Sequence, residues 1–513
     1  MEQSNSSENK RIAKNTMVLY VRMIVMMIIS FFTARITLNA LGVTDYGINN
    51  VVGGLVSMFS LISSSLSAST SRFLTFGLGE GDNEKLKKIF STSVNIHIIL
   101  AIIVVLAVES IGVWFLNNKM NIPPERMEAA NWVLQCSVVV FAISLFSVPY
   151  NSAIIAHEKM TAFAYMTIFD AATRLIIIGG VYFYQGDKLI LFALMLMGQT
   201  FLRQSIYWIY CRRKFEECTY HWTIDKDLTK SMFSFAGWSF IGCTAVLLKD
   251  QGVNVAINLF AGPAINAARG IAIQVNSIMG QFTGGFLAAV SPQITKNYAS
   301  GNLNRVYDLI FYGSRFSYYL FLFLSIPVLF EIEKVLQIWL GQVPDHTVLF
   351  TRLIIVMTLL EFPTYYLITA QSATGKIKNY QIVVGGILML NLPVSYLLLK
   401  MGAFPESTLI ACIVIEQLCQ VARICFLYRQ IQFPVMTFIK KVYLNLLFVT
   451  LISLSLPFIC YHYMDATWLR LFIVVALALI SSAFSIYYVG LSAAERVKMR
   501  TYIYKYMYNI IRK

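Results

Sequence analysis

Charge is the scarcest property of this sequence. Only 13% of its 513 residues are Asp, Glu, Lys or Arg, against about 25% in a soluble domain. That shortage argues against a water-soluble globular chain. The five histidines are scattered and no H-E-x-x-H pattern occurs, so a zincin-type metal site is not expected. None of the eight cysteines falls in a C-x-x-C pair, and most sit in apolar runs. They read as small buried hydrophobes, not as disulfides or metal ligands. GLGEG at 77–81 lacks the spacing of a dinucleotide turn. ATGKIK at 373–378 lacks the first glycine and the hydroxyl residue of a P-loop. No nucleotide site, and hence no ATPase domain, is expected. No long polar segment offers room for a soluble domain.

What is abundant is apolar sequence. Hydrophobic residues make up 57% of the chain, and mean hydropathy is +0.65. Fourteen apolar runs can be placed, near 16–38, 47–72, 91–116, 130–156, 163–184, 189–210, 231–258, 264–292, 306–330, 347–373, 379–399, 406–428, 441–462 and 467–490. Each approaches the roughly 20 residues that cross a bilayer. A basic helix is expected over 493–513. The fold class is therefore an all-α polytopic membrane protein of about 14 transmembrane helices.

The net charge of +15 fits basic cytoplasmic loops better than nucleic-acid binding. Of the 41 Lys and Arg residues, 25 fall at one set of span ends and six at the other. That asymmetry places both termini in the cytoplasm. The first apolar run is too long for a signal peptide, so it is expected to be retained.

The chain also repeats itself. STSRFLTFGLGEGDNEKLKKI (69–89) aligns with AVSPQITKNYASGNLNRVYDL (289–309) at an offset of 220, which also matches Gly42 with Gly262. VPYNSAIIAHEKM (148–160) echoes FPTYYLITAQSATGKI (362–377). The reading is an N-terminal lobe at 1–212, a cytoplasmic inter-lobe loop at 213–230, a C-terminal lobe at 231–430, and an added pair of spans with a basic tail at 431–513. Six spans per lobe is an even number, so the two lobes are parallel repeats.

RITLNALGVTDYGINNVVGG, SASTSRFLTFGLGEGDNEKLKKIFS and VPYNSAIIAHEKMTAFAY together resemble the polysaccharide biosynthesis and export family. These are Wzx-type flippases of the multidrug/oligosaccharidyl-lipid/polysaccharide (MOP) superfamily. The likeness runs from about residue 15 to residue 430. It implies two six-helix lobes in a V shape around a cavity, in a bacterial inner membrane. It implies movement of an undecaprenyl-pyrophosphate-linked oligosaccharide to the periplasmic leaflet by alternating access, with glycan polymerase or assembly proteins as partners. By motif position, the cavity arginines of related lipid II flippases fall at Arg35, Arg72 and Arg269.

Ten cations lie within or at the ends of spans. An ionised group at mid-bilayer costs about 2.5–3.5 kcal/mol on insertion scales, so such groups face water, a partner or the interface. Arg22 and Arg352 read as snorkelling. Arg35, Lys249, Arg269, Arg203 and Arg315 read as cavity cations, since a guanidinium fork matches phosphate oxygens. Arg72 is balanced between snorkelling and the cavity. Asp170 and Arg174, four apart, read as a neutral pair. Asp250, Glu361, Glu416 and Arg423 are further coupling or pairing groups. Pro149 and Pro363 sit at matching places and are expected to break their helices as paired hinges. No cofactor or metal is expected beyond a coupling ion, H+ or Na+. Two other readings remain: a MATE-type cation-coupled drug antiporter, and a membrane polymerase or ligase of glycan assembly. The first should have an acidic or apolar cavity. The second, an enzyme, should carry a long outer loop, yet the longest expected here is 331–346.

Overall fold

A computed structural model describes residues 15–26, isolated positions between 29 and 56, and residues 59–120, 122–222, 225–340, 343–465, 467–497 and 500. Its helices, in chain order, begin with α1 Asn15–Met26, α2 Ser60–Glu80, α3 Asn83–Asn118, α4 Met127–Ala156, α5 Met160–Phe183 and α6 Lys188–Lys214. Then follow α7 Lys226–Gly262, α8 at 263–299, α9 Leu303–Leu340 and α10 Thr347–Thr374. The last four are α11 Lys378–Lys400, α12 Ser407–Ile431, α13 Val435–Tyr463 and α14 Trp468–Gly490. Ten of these helices are long and apolar enough to cross a membrane. The chain is an all-helical, multi-pass membrane protein. In lipid a helix satisfies its own backbone donors and acceptors, which is why spans of this composition are helical.

Short polar residues start the helices. Asp82 accepts from the Lys85 amide at the head of α3, and Asp187 accepts from the Leu189 and Ile190 amides at the head of α6. Thr467 does the same for Arg470 at the head of α14. Such a cap contributes about 1 kcal/mol. Glycine ends them. Gly81 and Gly301 adopt φ of +78° and +76°, and Gly42 and Gly262 adopt +79° and +83°. Both pairs are 220 residues apart, so the repeat read in the sequence is also a repeat of left-handed turns.

The helices are less regular than their hydropathy suggests. Five π turns interrupt them, at Val108–Gly112, Leu248–Gly252, Gln381–Gly385, Ile439–Leu444 and Ile486–Gly490. The expected breaks at Pro149 and Pro363 are absent: α4 and α10 run through their prolines. A proline removes one backbone hydrogen bond, and in a membrane the surrounding packing can keep the turn helical. The kink near a proline lies instead in α9, at Glu331, four residues after Pro327. The outer loop expected over 331–346 is helical to Leu340. The basic helix expected over 493–513 is described only to residue 497 and at residue 500.

Contacts divide the chain into two compact units. Unit 1 comprises 1–244, 288–302 and 372–382; unit 2 comprises 245–287, 303–371 and 383–513. The core of unit 1 packs α3 against α4 through Ile96, Val104 and Leu134. In unit 2, Gly313 lets α9 close on Tyr366, whose hydroxyl meets Ser317 at 2.5 Å. A Cβ built at Gly313 would lie 2.5 Å from that ring, so only glycine allows the approach.

Candidate functional site

Unit 2 contains a cavity of about 760 Å³ lined by α7, α8, α10 and α12. The lining follows helical periodicity. On α8 the face runs through Arg269, Ile273, Asn276, Gly280 and Thr283; on α12 Glu416 and Arg423 are seven apart. Steps of three, four and seven keep side chains on one face.

The charges concentrate on one wall. The Lys249 ammonium donates to Glu361 Oε1 at 2.6 Å and lies 3.6 Å from Glu416 Oε2. Arg423 Nη1 donates to Glu416 Oε1 at 2.6 Å. The Tyr365 hydroxyl reaches the other Glu361 oxygen at 3.3 Å. The four charged side chains are between 4% and 14% exposed. Buried charges persist when paired and hydrogen-bonded, which this chain of contacts achieves.

The local backbone explains how Lys249 and Asp250 both reach the cavity. In an α-helix, neighbours point about 100° apart. Here both lie in the Leu248–Gly252 π turn, where an extra residue widens the coil. Both line the cavity. The Asp250 carboxylate forms no ion pair among the described residues. Its backbone carbonyl accepts from Arg269 Nη1 at 3.2 Å, and Asn254 Oδ1 accepts from the same nitrogen at 3.0 Å. Arg269 is 4% exposed, and its Nε has no hydrogen-bond partner among the described residues. Its positive charge is thus met by neutral oxygens. Counted as ionised, the six cavity charges balance, three against three. That departs from the surplus of cations in the sequence, because Glu361 and Glu416 converge on Lys249.

The other expected cations lie elsewhere. Arg35 lies outside the described residues. In unit 1, Arg203 Nη1 approaches Asp170 Oδ2 at 3.4 Å and Nη2 reaches Ser144 Oγ at 3.3 Å. Asp170 is therefore paired with Arg203, and the expected partner Arg174 is exposed on the same helix. Gln199 holds Asp170 from α6 as well, drawing the carboxylate off its own helix face. Arg72 is caged by Phe73, Phe76 and Phe235, and its Nη2 donates to the Ala373 carbonyl at 3.1 Å. Arg315 is bound to Glu495 in unit 2 and does not line the cavity.

Three polar sites have little warning in the sequence. Arg126 binds Asp45 through Nε and Nη2, at 2.9 and 2.5 Å, and Asp187 through Nη1 at 2.7 Å. Glu158 adopts φ +57° with a fully buried side chain. It accepts from Lys296 Nζ at 2.8 Å and Gln293 Nε2 at 2.5 Å, all within unit 1. In unit 2, Arg470 Nη2 donates to the buried Glu331 at 3.3 Å. In each site the acid and its cation are far apart in the chain, from 61 to 139 residues, so local spacing does not reveal the pair. Among the described residues, no group of three or more His, Cys, Asp or Glu is placed to hold a metal ion.

No family model matches the chain. The uncharacterized membrane protein EpsK of Bacillus subtilis is 19% identical over 354 residues, covering 67% of this chain and 68% of that protein. Among solved structures, MATE in complex with MaD3S aligns with a TM-score of 0.70 and 13% identity, over 84% of this chain and 97% of its own. A point mutant of the Vibrio cholerae MATE transporter VcmN gives 0.67 and 13%, over 84% and 99%. An outward-facing multidrug resistance MATE family transporter of the MOP superfamily gives 0.65 and 12%, over 84% and 96%. These likenesses establish a MATE transporter fold.

Proposed function

We propose that the chain is a secondary transporter that flips a lipid-linked oligosaccharide, with an undecaprenyl-pyrophosphate anchor, across a bacterial inner membrane. In this reading 1–212 and 231–430 are the alternating lobes and both termini are cytoplasmic. The observation that carries it is the unit 2 cavity. Its lining joins amides and hydroxyls, among them Asn254, Asn276, Gln281 and Thr283, to one guanidinium, Arg269, with no acidic partner among the described residues. Amides and hydroxyls suit sugar hydroxyls, and Arg269 suits a phosphate oxygen. The acids around Lys249 supply candidate sites for coupling to a proton or sodium ion. The Wzx-like stretches support the same reading.

A second reading, a cation-coupled drug antiporter, draws support from the fold and from Asp250, the cavity acid without an ion pair. One experiment separates them. A strain lacking the gene should accumulate lipid-linked oligosaccharide in the cytoplasmic leaflet. Restoring Arg269→Gln should recover less than a tenth of surface glycan at normal protein level, since a hydrogen bond to a charged group is worth about 1.5–3 kcal/mol. Drug hypersensitivity without accumulation would establish the antiporter instead.

A further inference from the structure

A second concavity lies in unit 1, between α2, α3 and α7, and holds about 330 Å³. Leu66, Leu100 and Ala236 form a buried floor. Ile99, Phe233 and Phe240 form rims that are 51%, 45% and 39% exposed. Ser65 is the one polar side chain in the lining, and its hydroxyl is used by the Ile62 carbonyl at 2.9 Å. Nothing here can orient a polar solute. A hydrocarbon chain, however, fits an apolar trough on a membrane-spanning surface.

One end of this groove is charged. On α7 the groove face runs through Phe233, Gly237 and Phe240. Continuing the same three- and four-residue steps toward the start of α7 reaches Lys230 and then Lys226, both exposed. Neither forms an ion pair among the described residues. Asp225 is occupied in capping, accepting from the Leu228 amide at 2.9 Å. Asp227 follows Lys226 by one residue, about 100° around the helix. Trp222 and Tyr220, 73% and 41% exposed, precede the same end, and such rings favour the headgroup level.

We propose that this groove binds one anionic phospholipid, its acyl chain between α2, α3 and α7 and its phosphate on Lys226 and Lys230. Moving a chain from bilayer to groove gains no hydrophobic energy, so selectivity rests on the headgroup, at about five-fold per lysine. The groove belongs to unit 1 and the charged cavity to unit 2, and the proposal does not depend on what that cavity carries.

The test uses the full chain in micelles containing phosphatidylglycerol and phosphatidylcholine, read by native mass spectrometry. One phosphatidylglycerol should be retained about 20-fold in preference to phosphatidylcholine. Lys226→Gln with Lys230→Gln should bring that ratio close to one. Gly237→Leu should lower retention of both lipids at an unchanged melting temperature, because a Cβ there meets no atom within 4 Å. Equal retention of the two lipids by the parent protein, or unchanged retention in both variants, would overturn the proposal. Displacement by equimolar undecaprenyl pyrophosphate would overturn the phospholipid as occupant.

Discussion

The two units each contain a cavity, and the two linings differ. In unit 1, α4 and α6 with Asn49, Gly53 and Val56 enclose about 240 Å³, lined also by groups such as Val133, Ser137 and Leu196, with no charged residue among the described residues of the lining. In unit 2, α8, α10 and α12 with α7 enclose about 760 Å³ and carry six charges. The paired left-handed glycines show that the turns between helices are held in common. The side chains facing inward are not. The two cavities therefore differ in kind: among the described residues, the one lined by charges is in unit 2.

The largest effect should come from breaking the charged interior. Lys249→Met leaves Glu361 and Glu416 facing one another without their shared cation. Losing one partner of a buried ion pair costs about 3–5 kcal/mol, so the melting temperature of the purified protein should fall steeply. Ser144→Ala, in the lining of the unit 1 cavity, removes the hydrogen bond to the Val140 carbonyl and the one from Arg203 and should cost less, about 1–2 kcal/mol. Equal losses would erase the contrast between the two interiors.

How much of this contrast was legible follows from the physics of each residue. Lys249 and Asp250 stood out because charge inside an apolar run is costly wherever it lies. Glu416 and Arg423 stood out by their seven-residue spacing. What spacing could not show was convergence. Glu361 is 112 residues from Lys249, and pairing at that range is set by how α7, α10 and α12 pack. Local spacing also misassigned Asp170, because Gln199 and Arg203 on α6 compete with Arg174 on its own helix. The prolines misled for a related reason: a missing donor is visible in sequence, while the packing that tolerates it is not. Asp45 is held by Arg126, 81 residues away, a separation that no local spacing reveals.

A smaller effect should test what the units share. Gly81→Ala and Gly301→Ala place a side chain in the left-handed region, at about 1–2 kcal/mol each. A Cβ meets nothing within 4 Å at either site, so the losses should match. Unequal shifts in melting temperature would show that the repeat has lost its common turn.

The smallest effect concerns a contact particular to unit 1. Burial pushes the Asp187 carboxyl up, but the Arg126 hydrogen bond, the Ile190 amide, the Arg126 charge and the Leu189 amide together hold it below its ordinary value. A carboxyl lowered by folding stabilises above its unfolded pKa, about 3.9. That contribution is lost as pH falls through the lower folded value. Asp187→Asn should cost about 1 kcal/mol or less at neutral pH. It should flatten the loss of stability below about pH 4, measured by thermal melts across pH.

The π turn at Leu248–Gly252 has a consequence for how such a site can change. It is an insertion held in place, one residue more than a regular helix requires. A π turn covers with five residues roughly the rotation that a regular helix covers with four. Deleting Gln251 would therefore restore the ordinary winding and leave the flanking turns in register, but Lys249 and Asp250 would point about 100° apart, and one of them would turn away from the cavity. A single codon gained or lost at this point adds or removes one charged group from the wall while the rest of the helix stays as it is.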